Sequence, residues 1–303
     1  MARLGAYGVI LGLALGGGAL VGATVGPSSS GGGDHTEMDD EAVAGPSSEL
    51  PDGLAVSRNG YTLNLRTATV VAGVPATLEL GIVAPDGTAL MDYGVEHDKE
   101  LHLIVVSRDL AHFAHVHPTR DGDGVWLVEV PAMAPGSYRV FADFVPAGGA
   151  GLTLGADLTV PGDSTPVPLP APADEVAVDG YDVAFDGQLV AGTESDVTVT
   201  VSRAGVPVTD LDPYLGALGH LVAIRDGDLA YLHVHPLDAT DGPAGPAVRF
   251  AVEVPTTGEY GLYFDFSHDG TVRTAAVTAQ AVPAGDATDG AEGLSGGDDG
   301  HGG

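Results

Sequence analysis

No cysteine occurs in the 303 residues. That excludes disulfides, zinc–thiolate sites and thiol nucleophiles. Methionine occurs four times, once as the first residue, too rarely for a thioether-rich Cu(I) site. Positive charge is also scarce. Eleven Lys+Arg stand against 42 Asp+Glu, Lys99 is the only lysine, and the formal net charge is −31. Such a surface repels nucleic acid and anionic lipid, so no nucleic-acid partner is expected. The charge serves solubility over the whole surface and by itself marks no metal site. Helical periodicity is missing after the N-terminus, where short Val/Thr/Leu/Tyr-rich runs alternate with Gly, Pro and Asp turns.

What is present begins with an apolar segment. From Leu4 to Gly33 there is no charge, and Leu4–Val25 is long enough to span a bilayer as a hydrophobic helix. Residues 1–25 read as an export signal, either cleaved or kept as a membrane anchor. The remaining chain is then expected outside the cytoplasm, secreted or held at the cytoplasmic membrane. Residues 26–53 read as a flexible acidic linker. Residues 161–174, "PGDSTPVPLPAPAD", hold five prolines and read as a semi-rigid spacer. Residues 284–303 read as a disordered acidic, Gly-rich tail.

Two blocks remain, 54–160 and 175–283. Both open on Tyr and an alternating stretch, pass through "VEVP" (Val128–Pro131, Val252–Pro255), and close on Gly-x-Tyr and a strand, "GSYRVFADF" and "GEYGLYFDF". This is an internal duplication. The expected fold is all-β, two tandem immunoglobulin-like Greek-key β-sandwich domains behind the N-terminal hydrophobic helix. Tyr138 and Tyr260 are expected to be tyrosine corners and structural.

The rare string His-Val-His-Pro appears in both blocks. His102, His115 and His117 in the first, and His220, His233 and His235 in the second, share a spacing of 13 and then 2 residues. The turns between them differ, "SRDLAHFA" against "RDGDLAYL", yet the spacing is kept. Alternation along a strand puts His115 and His117 on one face. A hairpin turning near Arg108–Leu110 sets His102 opposite His117, and one turning at Asp226-Gly227 sets His220 opposite His235. Three neutral imidazoles then converge in each domain, a donor set suited to Zn²⁺ or Cu²⁺. Pro118 and Pro236 cannot donate to a ladder, which places the cluster at a strand end near the sandwich rim.

Asp143 and Asp265 stand at the same offset from the corner tyrosines, in otherwise apolar strands. Three readings are open: a metal ligand, an acceptor that fixes a histidine tautomer, or a turn initiator. His97 and His112 occur only in the first block and read as loop residues. His268 reads as a turn residue, and His35 and His301 lie in flexible segments.

The pattern H-L-x-x-x … D-L … H-x-H-P, then G-x-Y and a strand ending D-F, resembles a family of exported bacterial heavy-metal-associated or copper-binding secreted proteins with an immunoglobulin-like fold. "HLIVVSRDLAHFAHVHP" is the closer copy and "HLVAIRDGDLAYLHVHP" the second. The resemblance implies His102, His115, His117, Asp143, His220, His233, His235 and Asp265 as metal positions. The expected function is extracytoplasmic binding of Cu²⁺ or Zn²⁺, one ion per domain, for sequestration or delivery, with a membrane or secreted protein as a further partner. The alternative is a cell-surface interaction module in which the histidines form a buried polar network. Catalysis is not expected. No Glu or Ser recurs at a place suited to a general base or nucleophile, and the shared Glu129 and Glu253 are expected to face solvent.

Overall fold

A computed structural model describes residues 51–232, 234–237 and 242–286; for His235 only the backbone is described. The expected N-terminal helix, most of the acidic linker and nearly all of the tail lie outside these residues. Among the described residues, no helix is long and apolar enough to cross a membrane.

The first repeat carries β1 (Ser57–Arg58), β2 (Tyr61–Leu65), β3 (Ala76–Val83), β4 (Leu101–Ser107), β5 (Phe113–Val116), β6 (Thr119–Arg120), β7 (Trp126–Val130), β8 (Gly136–Phe144) and β9 (Leu152–Val160). They form two sheets, β1-β2-β3-β7-β6 and β5-β4-β8-β9. The second repeat carries β10 (Glu175–Val178), β11 (Tyr181–Asp186), β12 (Leu189–Val190), β13 (Glu194–Arg203), β14 (Val206–Pro207), β15 (His220–Arg225), β16 (Tyr231–Leu232), β17 (Val234–Pro236), β18 (Ala247–Glu253), β19 (Gly258–His268) and β20 (Thr271–Val282). Its sheets are β10-β11-β13-β18-β17, with β14 on β13, and β12-β20-β19-β15-β16. The protein is thus two immunoglobulin-like sandwiches in tandem. In each, a short segment also pairs in parallel with the last strand, at Thr69–Thr159 and at β12–β20. Strands of Val, Thr, Leu and Phe fill each core from alternate positions, as in β13, where Val197, Val199 and Val201 point inward.

Both corner tyrosines close as the sequence suggests. Tyr138 Oη donates to the carbonyl of Ala134 at 3.0 Å, and Tyr260 Oη to that of Thr256 at 2.8 Å.

The two sandwiches pack sheet against sheet. Strand β4 is buried at every position. Leu101, Leu103 and Val105 enter the core of the first sandwich, while Ile104 and Val106 point the other way. There they meet Val222, Ile224, Leu229, Tyr231 and Tyr263 of the second repeat. Phe113 stacks on Tyr263 at 4.0 Å with the rings nearly parallel, and Tyr263 Oη donates to Leu110 O at 2.7 Å. The shared Asp-Leu-Ala turns now have a role. Leu110 and Leu229 both take positive φ, at 61° and 63°, and both are buried in this seam. Asp109 and Asp228 hold the turns by accepting from the Ala111 and Ala230 amides.

Candidate metal centre at the seam between the sandwiches

Alternation places His102 on the same face of β4 as Ile104 and Val106, that is, toward the seam. In the second repeat His220 shares a face with Val222 and Ile224. The site therefore sits between the two sandwiches, at the strand ends that the prolines mark: His102 is the second residue of β4, and His117 directly follows the last residue of β5.

The first hairpin has the expected register. Leu103 pairs with Val116 and Ile104 with His115, which carries His102 opposite His117. His102, His115 and His117 converge, with one ring nitrogen of each within 4.8 Å of the others. His102 Nδ1 lies 3.2 Å from His115 Nε2 and 3.1 Å from His117 Nε2. Three nitrogens at zinc–imidazole bond lengths around a tetrahedral ion stand about 3.3 Å apart.

The outer nitrogens fix what the inner ones can do. His102 Nε2 lies 3.0 Å from Glu96 O, a carbonyl that only accepts, so Nε2 carries the proton and Nδ1 presents a lone pair. His115 Nδ1 lies 2.9 Å from the Asp265 carboxylate, so it donates there and Nε2 presents a lone pair. Two lone pairs thus face each other. Donation from His117 Nε2 can satisfy His102 Nδ1 but leaves the lone pair of His115 pointing at the same atom. A cation between the rings would relieve the clash, and so would a proton on His115 Nε2 donated to His102 Nδ1.

Burial favours neutral rings. It lowers His102 to about 4 and His117 to about 2, with the neighbouring imidazoles adding to the effect. Burial likewise lowers His220 to about 4. Neutral imidazole is the form that ligates.

The two aspartates take different places from one another. Asp265, 3% exposed, accepts from His115 across the seam and from Thr274. It is the acceptor that fixes the His115 tautomer, and it lies behind the ring, outside the donor set. Asp143 accepts from Thr153 at 3.1 Å and from Tyr231 Oη of the other repeat at 3.3 Å. Burial and the Asp143 carboxylate raise the Tyr231 phenol well above its usual range, keeping it a donor. Neither aspartate starts a turn: each is paired within its strand, Asp143 to His102 and Asp265 to His220.

The second repeat departs from the first. His220 Nε2 lies 2.9 Å from Tyr214 O, copying the His102–Glu96 contact. Its ring stands 6.5 Å from that of His102 and 6.2 Å from that of His115, beyond the triad. His233 lies outside the described residues. The backbone of His235 pairs with Ala251 of the opposite sheet, where the sequence suggested a hairpin partner of His220. The crossing to the other sheet comes earlier here than in the first repeat, and Pro236 ends the strand that has crossed.

In the first domain all three histidines of the cluster come from one repeat, as expected, and the acceptor behind His115, Asp265, comes from the other. His97, read as a loop residue, does sit in a tight turn, but its ring also lies 4.9 Å from His220 and 6.0 Å from His102. His112 stays apart, its ring 6.4 Å from Tyr138. His268 is held between Tyr181 Oη and Asp210 beyond the seam. Glu129 and Glu253 are exposed.

A family model described as a domain of unknown function, DUF8832, matches residues 55–162 and again 176–283. The chain belongs to the DUF8832 family. No curated protein matches it. Among solved structures, the Escherichia coli adhesin FdeC is similar at 16% identity over 75% of this chain and 66% of its own, TM-score 0.25. The Yersinia pseudotuberculosis adhesin InvE follows at 13% over 73% and 58%, TM-score 0.22. A DUF4426 family protein from Pseudomonas aeruginosa PAO1 is 7% identical over 35% of this chain and 91% of its own, TM-score 0.27. The two DUF8832 copies coincide with the two sandwiches, so the triad and its Asp265 acceptor come from different copies of the domain.

Proposed function

We propose that the protein binds a divalent transition-metal ion, Cu²⁺ or Zn²⁺, through His102, His115 and His117. The observation that supports this is the convergence of His102, His115 and His117, with His102 Nδ1 3.2 Å from His115 Nε2 and the outer nitrogens of both rings held by a carbonyl and a carboxylate oxygen. Outer hydrogen bonds to a carbonyl and a carboxylate are the partners that metal-ligating histidines usually have. The role is sequestration or delivery outside the cytoplasm, as the copper-binding resemblance and the apolar N-terminal sequence suggest, without catalysis.

Calorimetric titration of the full chain with Cu²⁺ and with Zn²⁺ at pH 7.5, beside a His115→Ala, His117→Ala variant, tests this. Tight binding, lost in a variant that remains folded, is the expected result. Absence of tight binding to the unmodified protein rejects the proposal.

A second reading is that the histidines are part of the seam that docks the two sandwiches of a surface module. The hydrogen bonds from His115 to Asp265 and from Tyr231 to Asp143, both crossing between repeats, favour it. On that reading the double variant unfolds or loses domain docking with metal absent, and metal leaves stability unchanged.

A further inference from the structure

We propose that the seam face of each repeat is self-complementary, and that a repeat freed from its neighbour docks through this face onto the same face of a second copy of the chain.

The seam is built from corresponding residues of the two repeats. Counted from His102 and His220, Ile104 and Val106 match Val222 and Ile224. Leu110 and Leu229 are the middle residues of the two Asp-Leu-Ala turns. Phe113 and Tyr231 each stand two residues before His-Val-His-Pro, and Phe141 and Tyr263 each stand three residues after a corner tyrosine. Apart from Leu169 of the spacer, every residue of the seam's apolar cluster belongs to one of these five pairs.

The contacts are reciprocal as well. Phe113 stacks on Tyr263 with ring centroids 4.0 Å apart, and Tyr231, the counterpart of Phe113, packs on Phe141, the counterpart of Tyr263, at 5.4 Å. Asp265 accepts from His115 across the seam, and its counterpart Asp143 accepts from Tyr231. One residue meets the counterpart of another, and that other meets the counterpart of the first. This reciprocity is the mark of an isologous, two-fold interface, the kind that joins two copies of one surface. Two first repeats docked in this way set Phe113 of each against Phe141 of the other. They also bring Asp143 of each copy to the place that Asp265 holds behind His115. The face is apolar, so the docking needs no metal. Within one chain the spacer, residues 161–174, presents the second repeat at high effective concentration, and the two faces cover each other.

The test is Val222→Glu, Ile224→Glu in the full chain, followed by sedimentation equilibrium over a range of concentrations and by circular dichroism. Both side chains point to the seam, whereas Leu221 and Ala223 fill the core of the second sandwich, so that sandwich is expected to stay folded. The variant is expected to dimerise through its uncovered first face, while the unmodified chain stays a monomer. Adding Ile104→Glu and Val106→Glu is expected to return it to a monomer. Ile104→Glu, Val106→Glu alone frees the second face instead and is also expected to dimerise, so either variant decides if the other fails to fold. Folded variants that stay monomeric, or a dimer that survives all four substitutions, overturn the proposal. Loss of fold in both overturns it too, because a face that a repeat cannot uncover cannot be offered to a second copy.

Discussion

His115 Nδ1 donates to Asp265 Oδ2 at 2.9 Å, joining side chains 150 positions apart that belong to different repeats. The ring and the carboxylate are both almost fully buried, at 5% and 4% side-chain exposure. Through this contact the second sandwich orients the His115 ring of the first.

Asp265→Asn removes the charge behind His115 while keeping an acceptor of similar shape. Its expected effect is a 10- to 100-fold loss of metal affinity at the triad, with circular dichroism unchanged. Affinity equal to that of the unmodified protein places Asp265 in a purely structural role.

Stability of the metal-free protein is expected to fall as pH drops from about 6.5 to about 4. His102, His117 and His220 have lowered folded values, so over that window the unfolded chain binds protons that the folded chain refuses. Each such ring contributes at most about 1.4 kcal/mol per pH unit. The stabilisation is present in full above the unfolded value of about 6.5 and declines below it. Thermal melts at pH 7.5 and 5.0 check this, with His117→Asn expected to show the shallower dependence. Bound metal steepens the decline, because it requires the neutral rings.

Tyr263→Ala removes the ring stacked on Phe113 and the donor to Leu110 O. The expected cost is about 3–5 kcal/mol, as for other buried aromatics, together with weaker metal binding as Asp265 and His115 lose alignment. Urea unfolding followed by metal titration tests both parts.

Tyr138→Phe and Tyr260→Phe each delete one corner hydrogen bond. Each is expected to cost about 0.5–1.5 kcal/mol and to leave metal stoichiometry unchanged, since both rings belong to the cores of their own sandwiches and neither touches the triad.

Much of this was legible in the residues. The duplication, the all-β class, the tyrosine corners and the convergence of His102, His115 and His117 follow from period-two alternation and from a hairpin whose turn is marked by Asp-Leu-Ala. The seam was also written, in "HLIVV" and "HLVAI". A strand apolar at every position needs cover on both faces, and one sandwich core covers only one. Read that way, His102 and His220 fall on the faces of β4 and β15 that meet the neighbouring repeat. The pairing of Asp265 with His115 was not legible, because it depends on how two folded sheets dock. Nor was the earlier sheet crossing in the second repeat, where the spacing of His220, His233 and His235 is the same as in the first but the strand after Leu232 joins the opposite sheet. His97 was passed over because it lies outside the repeat, and only the docked arrangement brings it to His220.

The most direct measurement is X-ray absorption at the zinc edge on full-length protein loaded with one equivalent of Zn²⁺. The triad predicts a nitrogen-dominated shell at about 2.0–2.1 Å with the multiple-scattering signature of imidazole, weakened in the His115→Ala, His117→Ala variant. An all-oxygen shell without that signature would contradict metal binding by these histidines and leave them as part of the seam.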